Sequence, residues 1–421
     1  MEIRTGFYGL NNGVKPMNSF IPFLAESLKS TGGKNVHLEH LEDEIFNSGF
    51  AGFSKAMNSL RGVVQSLHGN ETVPYDISVK WDGAPAVIMG INPENGKFFV
   101  GTKSVFNKTP KINYTDADID ANHPADGLNA KLKLALKYFK TLRITTILQG
   151  DLLFDSETRK SETIDGKRYI TFQPNTIKYA VDPKSHLGAR IGGAKIGIVF
   201  HTEYGGDSMA DLRVVRFNPS LEGLAKSKTV WYDNATYRFS RGDGLFTTKD
   251  IAHINTQIDD IIREGIGLRA VMNGLAKNVA VVAEIKMYFN GIIRSGRELG
   301  DANEFLSFLS AKVDAKRKER KTKVPAKTPT PTLDYVRNNR NQINRLFTLH
   351  NRVAQIKKYV LGKLGTLSTE FGTFVQKGDK YVATVPEGFV AIDRLSNDAV
   401  KLVDRIEFSK ANFTISKSWK Q

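Results

Sequence analysis

The sequence contains no cysteine among its 421 residues. This absence excludes disulfide bonds, thiolate metal sites and cysteine nucleophiles. Long apolar runs are also missing: none approaches the roughly 20 residues that a membrane-spanning helix requires. Residues 1–10 lack the apolar stretch of a secretory signal. Together these absences predict a soluble protein of the cytoplasm with no membrane contact.

Acidic residues are fewer than basic ones, with 44 Asp and Glu against 60 Lys and Arg, which gives a net charge of +16. Such an excess favours a polyanionic partner, because neutralised phosphates release their counterions. Nucleic acid is the leading candidate. The alternative is a basic protein whose lysines are solvated and bind no such partner.

The chain is longer than the usual single core, so about two or three domains are expected. Its texture changes from helical to strand-rich, to helical, and back to strand-rich. The predicted segments are a helical 1–74, an α+β domain over 75–246, an all-α insertion over 247–380 with a mobile basic linker at 312–332, and closing strands over 381–421. The sequence therefore predicts an α+β domain that a separate helical unit divides into two parts.

Local patterns predict individual elements within these segments. Apolar residues at helical spacing indicate two amphipathic helices. They are Phe53, Met57, Leu60 and Val64 in one helix, and Leu128, Leu132, Leu136 and Phe139 in the other. The runs 86–91 and 97–102 flank the turn sequence Pro93-Glu94-Asn95-Gly96 and predict a hairpin.

A short motif, Lys80-Trp81-Asp82-Gly83, follows the strand-like run 75–79. The pattern K-x-D-G alone is weak, since chance supplies it in roughly one chain in ten of this length. A lysine that attacks the α-phosphate of a nucleotide must be neutral, whereas its reference pKa is near 10.4. Such a site also needs carboxylates for a metal ion and further lysines for the triphosphate.

Residues of these types follow the motif in a recognisable order. They are Lys103 in the run 98–104, Asp151 after a strand, Phe200 at a strand end, Glu387 in Glu387-Gly388-Phe389-Val390, and Lys401 in the last strand. This order resembles the covalent nucleotidyltransferase superfamily, which comprises ATP-dependent DNA and RNA ligases and mRNA capping guanylyltransferases. The resemblance covers roughly 75–205 and 383–409.

The resemblance implies an adenylation domain of antiparallel sheets that uses ATP with Mg²⁺ or Mn²⁺. It also implies a role for each matched residue. Lys80 would be the nucleophile, Asp82 its supporting acid, Asp151 and Glu387 metal-binding carboxylates, Asp151 also a ribose contact, Phe200 the base-stacking ring, and Lys103 and Lys401 nucleotide-binding lysines.

Several positions depart from the family pattern. Pro85 stands where DNA ligases usually have arginine, whereas Lys103-Ser104 is more similar to the bacteriophage-type RNA ligases. Val403 stands where the last motif normally has a second lysine, and Asp151 is shorter than the usual glutamate. About twenty residues follow Lys401, so we expect no C-terminal OB domain.

These patterns favour an ATP-dependent RNA ligase that joins 5′-phosphate to 3′-hydroxyl ends through a lysyl-AMP intermediate, with RNA favoured over DNA as substrate. The whole chain also resembles ligase-like proteins of tailed bacteriophages, which implies the cytoplasm of an infected bacterium. The alternatives are a DNA ligase, a capping-type guanylyltransferase, and a non-catalytic nucleic-acid-binding phage protein that keeps a degenerate ligase fold. No oligomeric state is predicted.

Two further patterns are weaker. His37, His40 and Glu44 share a potential helix face and could bind a metal ion, although a solvated face is the favoured interpretation. The glycine-containing stretch 188–193 lacks the G-K-[S/T] of a phosphate-binding loop. We therefore expect a flexible loop there.

Overall fold

The fold is described from a computed structural model. The described residues are 40–68, 75–236, 246–297, 299–319, 331–365, 370–377, 380–384, 386–396 and 399–404. Within these ranges, no helix is long and apolar enough to cross a membrane.

Some helices lie within the strand-rich part of the chain. The others lie in two helical regions, one before the strand-rich part and one that divides it. In chain order they are α1 Glu44–Asn47, α2 Gly49–Leu67, α3 Asp116–Asn122, α4 Asp126–Phe139, α5 His186–Gly193, α6 Thr248–Gly267, α7 Arg269–Ala276, α8 Val279–Arg294, α9 Ala302–Glu319, α10 Pro331–Asn338 and α11 Arg340–Gly365. Short 3-10 turns lie at Leu41–Asp43 and Lys103–Phe106. Helices α2 and α4 match the two apolar periodicities of the sequence.

The strands are β1 Tyr75–Lys80, β2 Ala86–Ile91, β3 Phe98–Gly101, β4 Ile147–Asp155, β5 Lys160–Ile164, β6 Lys167–Phe172, β7 Lys178–Val181, β8 Ile196–Gly205, β9 Arg213–Phe217, β10 Val230–Asn234, β11 Gly372–Lys377, β12 Lys380–Ala383, β13 Gly388–Asp393 and β14 Ala399–Val403. Strands β2 and β3 form the expected antiparallel hairpin.

The described strands form three sheets. Their orders are β10-β8-β4-β2-β3 with β9 beside β8, then β1-β13-β14, and then β12-β11-β7-β6-β5. Every pairing is antiparallel except that of β10 with β8. The prediction of an α+β protein with antiparallel sheets is therefore confirmed.

Strands from both ends of the chain pair with each other. Strand β1 lies beside β13 in a register that places Lys80 opposite Gly388. Strand β11 pairs with β7 and begins before the predicted boundary at 380. Helical structure ends at Gly365, so strand structure resumes earlier than its β-branched texture suggested.

The helical segment is not the separate unit that the sequence suggested. One hydrophobic core contains side chains of α2, of the helices after residue 247, and of the β1-β13-β14 sheet, including Phe389 and Leu402. Helix α2 packs closely on α6, where a Cβ at Gly265 would overlap the Phe53 ring. The apolar stripe of α2 thus needs the later helices to cover it, and this shared core supports the sheet that carries Lys80 and Lys401.

Two predicted loops are helical in the structure. Helix α9 continues through 312–319, the first part of the expected basic linker, and Lys312 in it pairs with Glu284 at 2.6 Å. The remaining linker positions 320–330 lie outside the described residues. Helix α5 replaces the loop expected at 188–193, because the Ser185 hydroxyl accepts a hydrogen bond from the Gly188 amide and caps its start.

A buried cluster of charged side chains fastens the turn Leu41–Asp43 to helix α11. Lys357 Nζ donates to both carboxylate oxygens of Glu42 at 2.6 and 2.7 Å. His350 Nε2 lies 3.1 Å from Asp43 Oδ1. All four side chains are buried, so the charges of Glu42 and Lys357 depend on each other to offset the loss of hydration.

Replacing Lys357 with methionine should leave Glu42 as an unpaired buried carboxylate. We expect Lys357→Met to lower the free energy of unfolding by about 3–5 kcal/mol, measured by urea denaturation. The double variant Glu42→Leu/Lys357→Met should recover most of that loss. Lys312→Met, which breaks a half-buried pair, should cost much less; equal losses for the two single variants would contradict the interpretation.

Candidate active site

A cavity of about 210 Å³ lies where the β1-β13-β14 sheet meets the larger sheet. Side chains of β1, β4, β8, β9, β13 and β14 line it. Four of the residues singled out in the sequence, Lys80, Lys103, Asp151 and Lys401, are among them. Residues that are widely separated along the chain therefore share one concave site.

Lys80 forms an ion pair with Glu387, a residue 307 positions away along the chain. Strand pairing sets this contact, because Lys80 lies opposite Gly388 and Glu387 immediately precedes that strand. The Glu387 side chain is buried and that of Lys80 is half-buried. Burial lowers the pKa of Lys80, but the charge and hydrogen bond of Glu387, with the charges of Asp151 and Asp82, raise it above its ordinary value.

Asp82 points away from the cavity. Its carboxylate accepts hydrogen bonds from the Asn175 side chain at 2.7 Å and from the amides of Thr176 and Ile177 at 2.6 and 2.7 Å. Its own amide donates to the Tyr179 hydroxyl. These hydrogen bonds do not join Asp82 to Lys80, as a supporting acid would require. Asp82 instead anchors the motif to the β6–β7 turn.

Burial is the largest cause that raises the pKa of Asp82, to about 6, and the charge of Glu387 adds to it. Hydrogen bonds from Ile177 and Asn175 and the charge of Lys80 act in the opposite direction. The carboxylates around Lys80 therefore repel one another, which is the electrostatic setting that a bound cation would relieve.

The glycine of the motif is required by close packing. A Cβ at Gly83 would lie 2.6 Å from Asp151 Cβ and 2.9 Å from the Leu152 carbonyl oxygen. The backbone of Ala84 and Pro85 also hydrogen bonds with Leu152. The motif loop is thereby held directly against the strand that carries Asp151.

Lys401 reaches the cavity from β14. It pairs with Val390, which in turn pairs with Ser78 of β1, and all three line the cavity. Val403, two residues further on, packs in an apolar cluster beside Trp81. Strand β14 thus supplies one lysine to the site, whereas the last motif of the covalent nucleotidyltransferases normally has two.

The prediction that Phe200 stacks on a nucleotide base is wrong. Its ring is fully buried and packs with Ile196 and Ile198 on the far side of β8. Successive side chains of a strand point to opposite faces, so residues 196, 198 and 200 of β8 lie on the same face. The aromatic side chains that do line the cavity near β8 are those of Tyr204 and Phe217.

Sequence reasoning missed His201. It lines the cavity, and its Nε2 lies 3.7 Å from Asp151 Oδ1. Its Nδ1 lies 2.8 Å from the Thr202 hydroxyl. The alternating apolar residues 196, 198 and 200 indicate that the side chain of residue 201 lies on the opposite face of β8. They do not indicate that this side chain faces Asp151.

Two groups of side chains offer metal ligands among the described residues. Asp151 and Glu387 are carboxylates whose charges act on Lys80, and Glu42, Asp43 and His350, in the buried cluster beside α11, are the group whose potential ligand atoms lie within 4.8 Å of one another. In the second group Lys357 already supplies a cation to Glu42. Of the face predicted from His37, His40 and Glu44, His37 lies outside the described residues, and Glu44 accepts a hydrogen bond from the Ser48 hydroxyl.

A family model matches residues 35–417. The chain belongs to DUF6267, a family of unknown function. No curated protein and no solved structure matches it. The match extends over both parts of the strand-rich region and over the helices between them.

The raised pKa of Asp82 predicts a pH dependence of stability in this DUF6267 protein. Its folded-state pKa of about 6 exceeds the ordinary 3.8, so the folded state binds the extra proton. The stabilising contribution is complete below about pH 4 and is lost as pH rises through 6. Asp82→Asn keeps the shape and removes the titration.

We therefore expect the stability of the wild type relative to Asp82→Asn to fall by about 2–3 kcal/mol between pH 4 and pH 7. Urea denaturation across that range measures the difference. Asp82→Ala, which also removes the hydrogen bonds to the β6–β7 turn, should be destabilised at every pH. Parallel pH profiles for wild type and Asp82→Asn would contradict the assignment.

Proposed function

We propose that this protein is an ATP-dependent nucleotidyltransferase of the RNA ligase type, in which Lys80 accepts AMP and passes it to a 5′-phosphate end. One observation supports this most strongly: Lys80, Lys103, Asp151 and Lys401 line one cavity, and Glu387 pairs with Lys80. The order of these residues in the sequence implied a shared site before their positions were known.

The first step forms a bond between Lys80 Nζ and the α-phosphorus of ATP and breaks the bond from that phosphorus to the pyrophosphate oxygen. Nζ must lose a proton, and Glu387 Oε2 is the carboxylate oxygen with which it pairs. In the resting protein the raised pKa keeps Lys80 charged. Lys80 is therefore stored in an inactive ionic form that must give up its proton before it reacts.

The residues present fit a divalent cation. Asp151 and the buried Glu387 are oxygen donors of the kind that Mg²⁺ and Mn²⁺ prefer, and after burial, the charge of Glu387 is the next cause that raises the pKa of the nearby Asp82. When bound, the ion supplies positive charge that neutralises the triphosphate and favours the neutral form of a nearby lysine. Glu387 can serve either the ion or Lys80, so its position links metal binding to the state of Lys80.

The remaining cavity residues suit the rest of the nucleotide. Lys103 and Lys401 both line the cavity and would place positive charge near the phosphates. Phe217, which is half-buried, provides aromatic surface for a base, in the role that the buried Phe200 cannot have.

The net charge of +16 supports a polynucleotide as the acceptor, since phosphate neutralisation favours binding. RNA is preferred over DNA because Lys103-Ser104 resembles the RNA ligases and Pro85 departs from the DNA ligases. Capping-type guanylyl transfer is the alternative reaction, and preference for GTP over ATP would favour it. Such a protein would act in the cytoplasm of a phage-infected bacterium.

Covalent labelling tests the first step. Incubation with α-labelled ATP and Mg²⁺ or Mn²⁺ should yield an acid-labile protein adduct, detected on a denaturing gel. Lys80→Arg keeps the positive charge beside Glu387 but removes the nucleophile, because guanidinium does not deprotonate. We expect its labelling to fall below detection, at least 1,000-fold by the scale of lost covalent catalysis.

Lys312→Arg provides the matched control, since Lys312 also pairs with a glutamate but lies on α9. Its labelling should equal that of the wild type. Absence of any adduct from the wild type with either ATP or GTP would refute nucleotide transfer, and an adduct that survives Lys80→Arg would place the nucleophile elsewhere.

The rate of labelling should also rise with pH. Only neutral Lys80 reacts, and its pKa is raised in the resting protein, so the single-turnover rate should increase up to about tenfold per pH unit between pH 6 and 8. A rate that does not change across this range would mean that proton loss from Lys80 does not limit the step.

A second candidate function is nucleotide-dependent binding of nucleic acid without transfer. The burial of Val403 in an apolar cluster supports it, because the covalent nucleotidyltransferases usually have a second lysine at the matching position. Saturable ATP binding without an adduct would distinguish this function from the first.

A further inference from the structure

A β-bulge in β8 lies beside the candidate active site. Gln149 of β4 pairs with Thr202, and the next residue, Gly150, pairs with Phe200. His201 is therefore the extra residue between two regular pairs. Bulges reorient a side chain out of the regular alternation, and here both His201 and Thr202 line the cavity.

The ring of His201 is oriented by its neighbour. Nδ1 lies 2.8 Å from the Thr202 hydroxyl. With the Nδ1 proton donated to that oxygen, Nε2 carries the lone pair on the side of Asp151. A histidine that binds a metal ion through one ring nitrogen usually has the other nitrogen held in this way.

The separation between His201 and Asp151 suits an intervening ion. Nε2 and Oδ1 are 3.7 Å apart, which is longer than a hydrogen bond. An ion about 2.1 Å from each atom, a usual metal–ligand distance, would subtend an angle of about 120°. Small side-chain rotations would bring this angle to the values of common coordination geometries.

We propose that His201 is a direct nitrogen ligand of the divalent cation, together with Asp151, and that it gives the site a preference for Mn²⁺ over Mg²⁺. The inference rests on the proposed function for the presence of a cation, but metal binding itself requires no nucleotide transfer. Imidazole binds transition metals well, whereas Mg²⁺ strongly prefers oxygen.

Electron paramagnetic resonance of the full-length protein with Mn²⁺ alone tests this ligand. The spin-echo spectrum should contain ¹⁴N couplings from a directly bound imidazole, and titration should give a lower Kd for Mn²⁺ than for Mg²⁺. In His201→Ala the couplings should disappear and the Mn²⁺ Kd should rise about tenfold or more, with little change for Mg²⁺. His201→Gln, which keeps a polar side chain, should give the same loss of ¹⁴N coupling.

His253→Ala is the matched control, since this exposed histidine lies on α6 and its loss should change neither measurement. Asp151→Asn should also weaken Mn²⁺ binding. If ¹⁴N coupling and affinity persist in both His201 variants, or if the wild type binds no Mn²⁺, the proposal is overturned. Mn²⁺ coupling to His201 without any nucleotide adduct would instead support this proposal and contradict the proposed transferase.

Discussion

The ion pair between Lys80 and Glu387 is the constraint on which the candidate site depends. It joins the two parts of the divided strand-rich region and lies at the end of the β1–β13 pairing. Because Glu387 is buried, its charge needs a cationic partner, and Lys80 is that partner in the resting protein. The same contact keeps the lysine charged, so the ion pair that stabilises the site also holds Lys80 in its protonated form.

The helical segment supports the strands that carry this ion pair. Its core includes Phe389 and Leu402, whose strands carry the residues next to Glu387 and Lys401. The buried pairs of α11 with Glu42 and Asp43 fasten the first described turn to the same body. The helices interrupt the strand-rich region in sequence but support its last two strands in space. The texture of the strands alone therefore could not predict the role of these helices.

The sequence was informative where order and local periodicity decide the outcome. The hairpin of β2 and β3 and helices α2 and α4 followed from patterns of residue type, and the resemblance to the covalent nucleotidyltransferases implied that Lys80, Asp151 and Lys401 share a site, as they do in the cavity. It failed where the result depends on tertiary packing. The face of Phe200 is set by its neighbours in β8, and the approach of His201 to Asp151 depends on how β8 pairs with β4.

Synthesis of the chain gives the divided site a temporal consequence. Glu387 follows Lys80 by 307 residues, an interval of about 15–60 s at a usual rate of protein synthesis of about 5–20 residues per second. Until β13 emerges from the ribosome, β1 lacks its neighbour and presents an unpaired edge, a hazard for aggregation. A nascent chain that already contains the Lys80 motif therefore has neither the carboxylate of Glu387 nor the wall formed by β14, and the site is complete only after both have been synthesised.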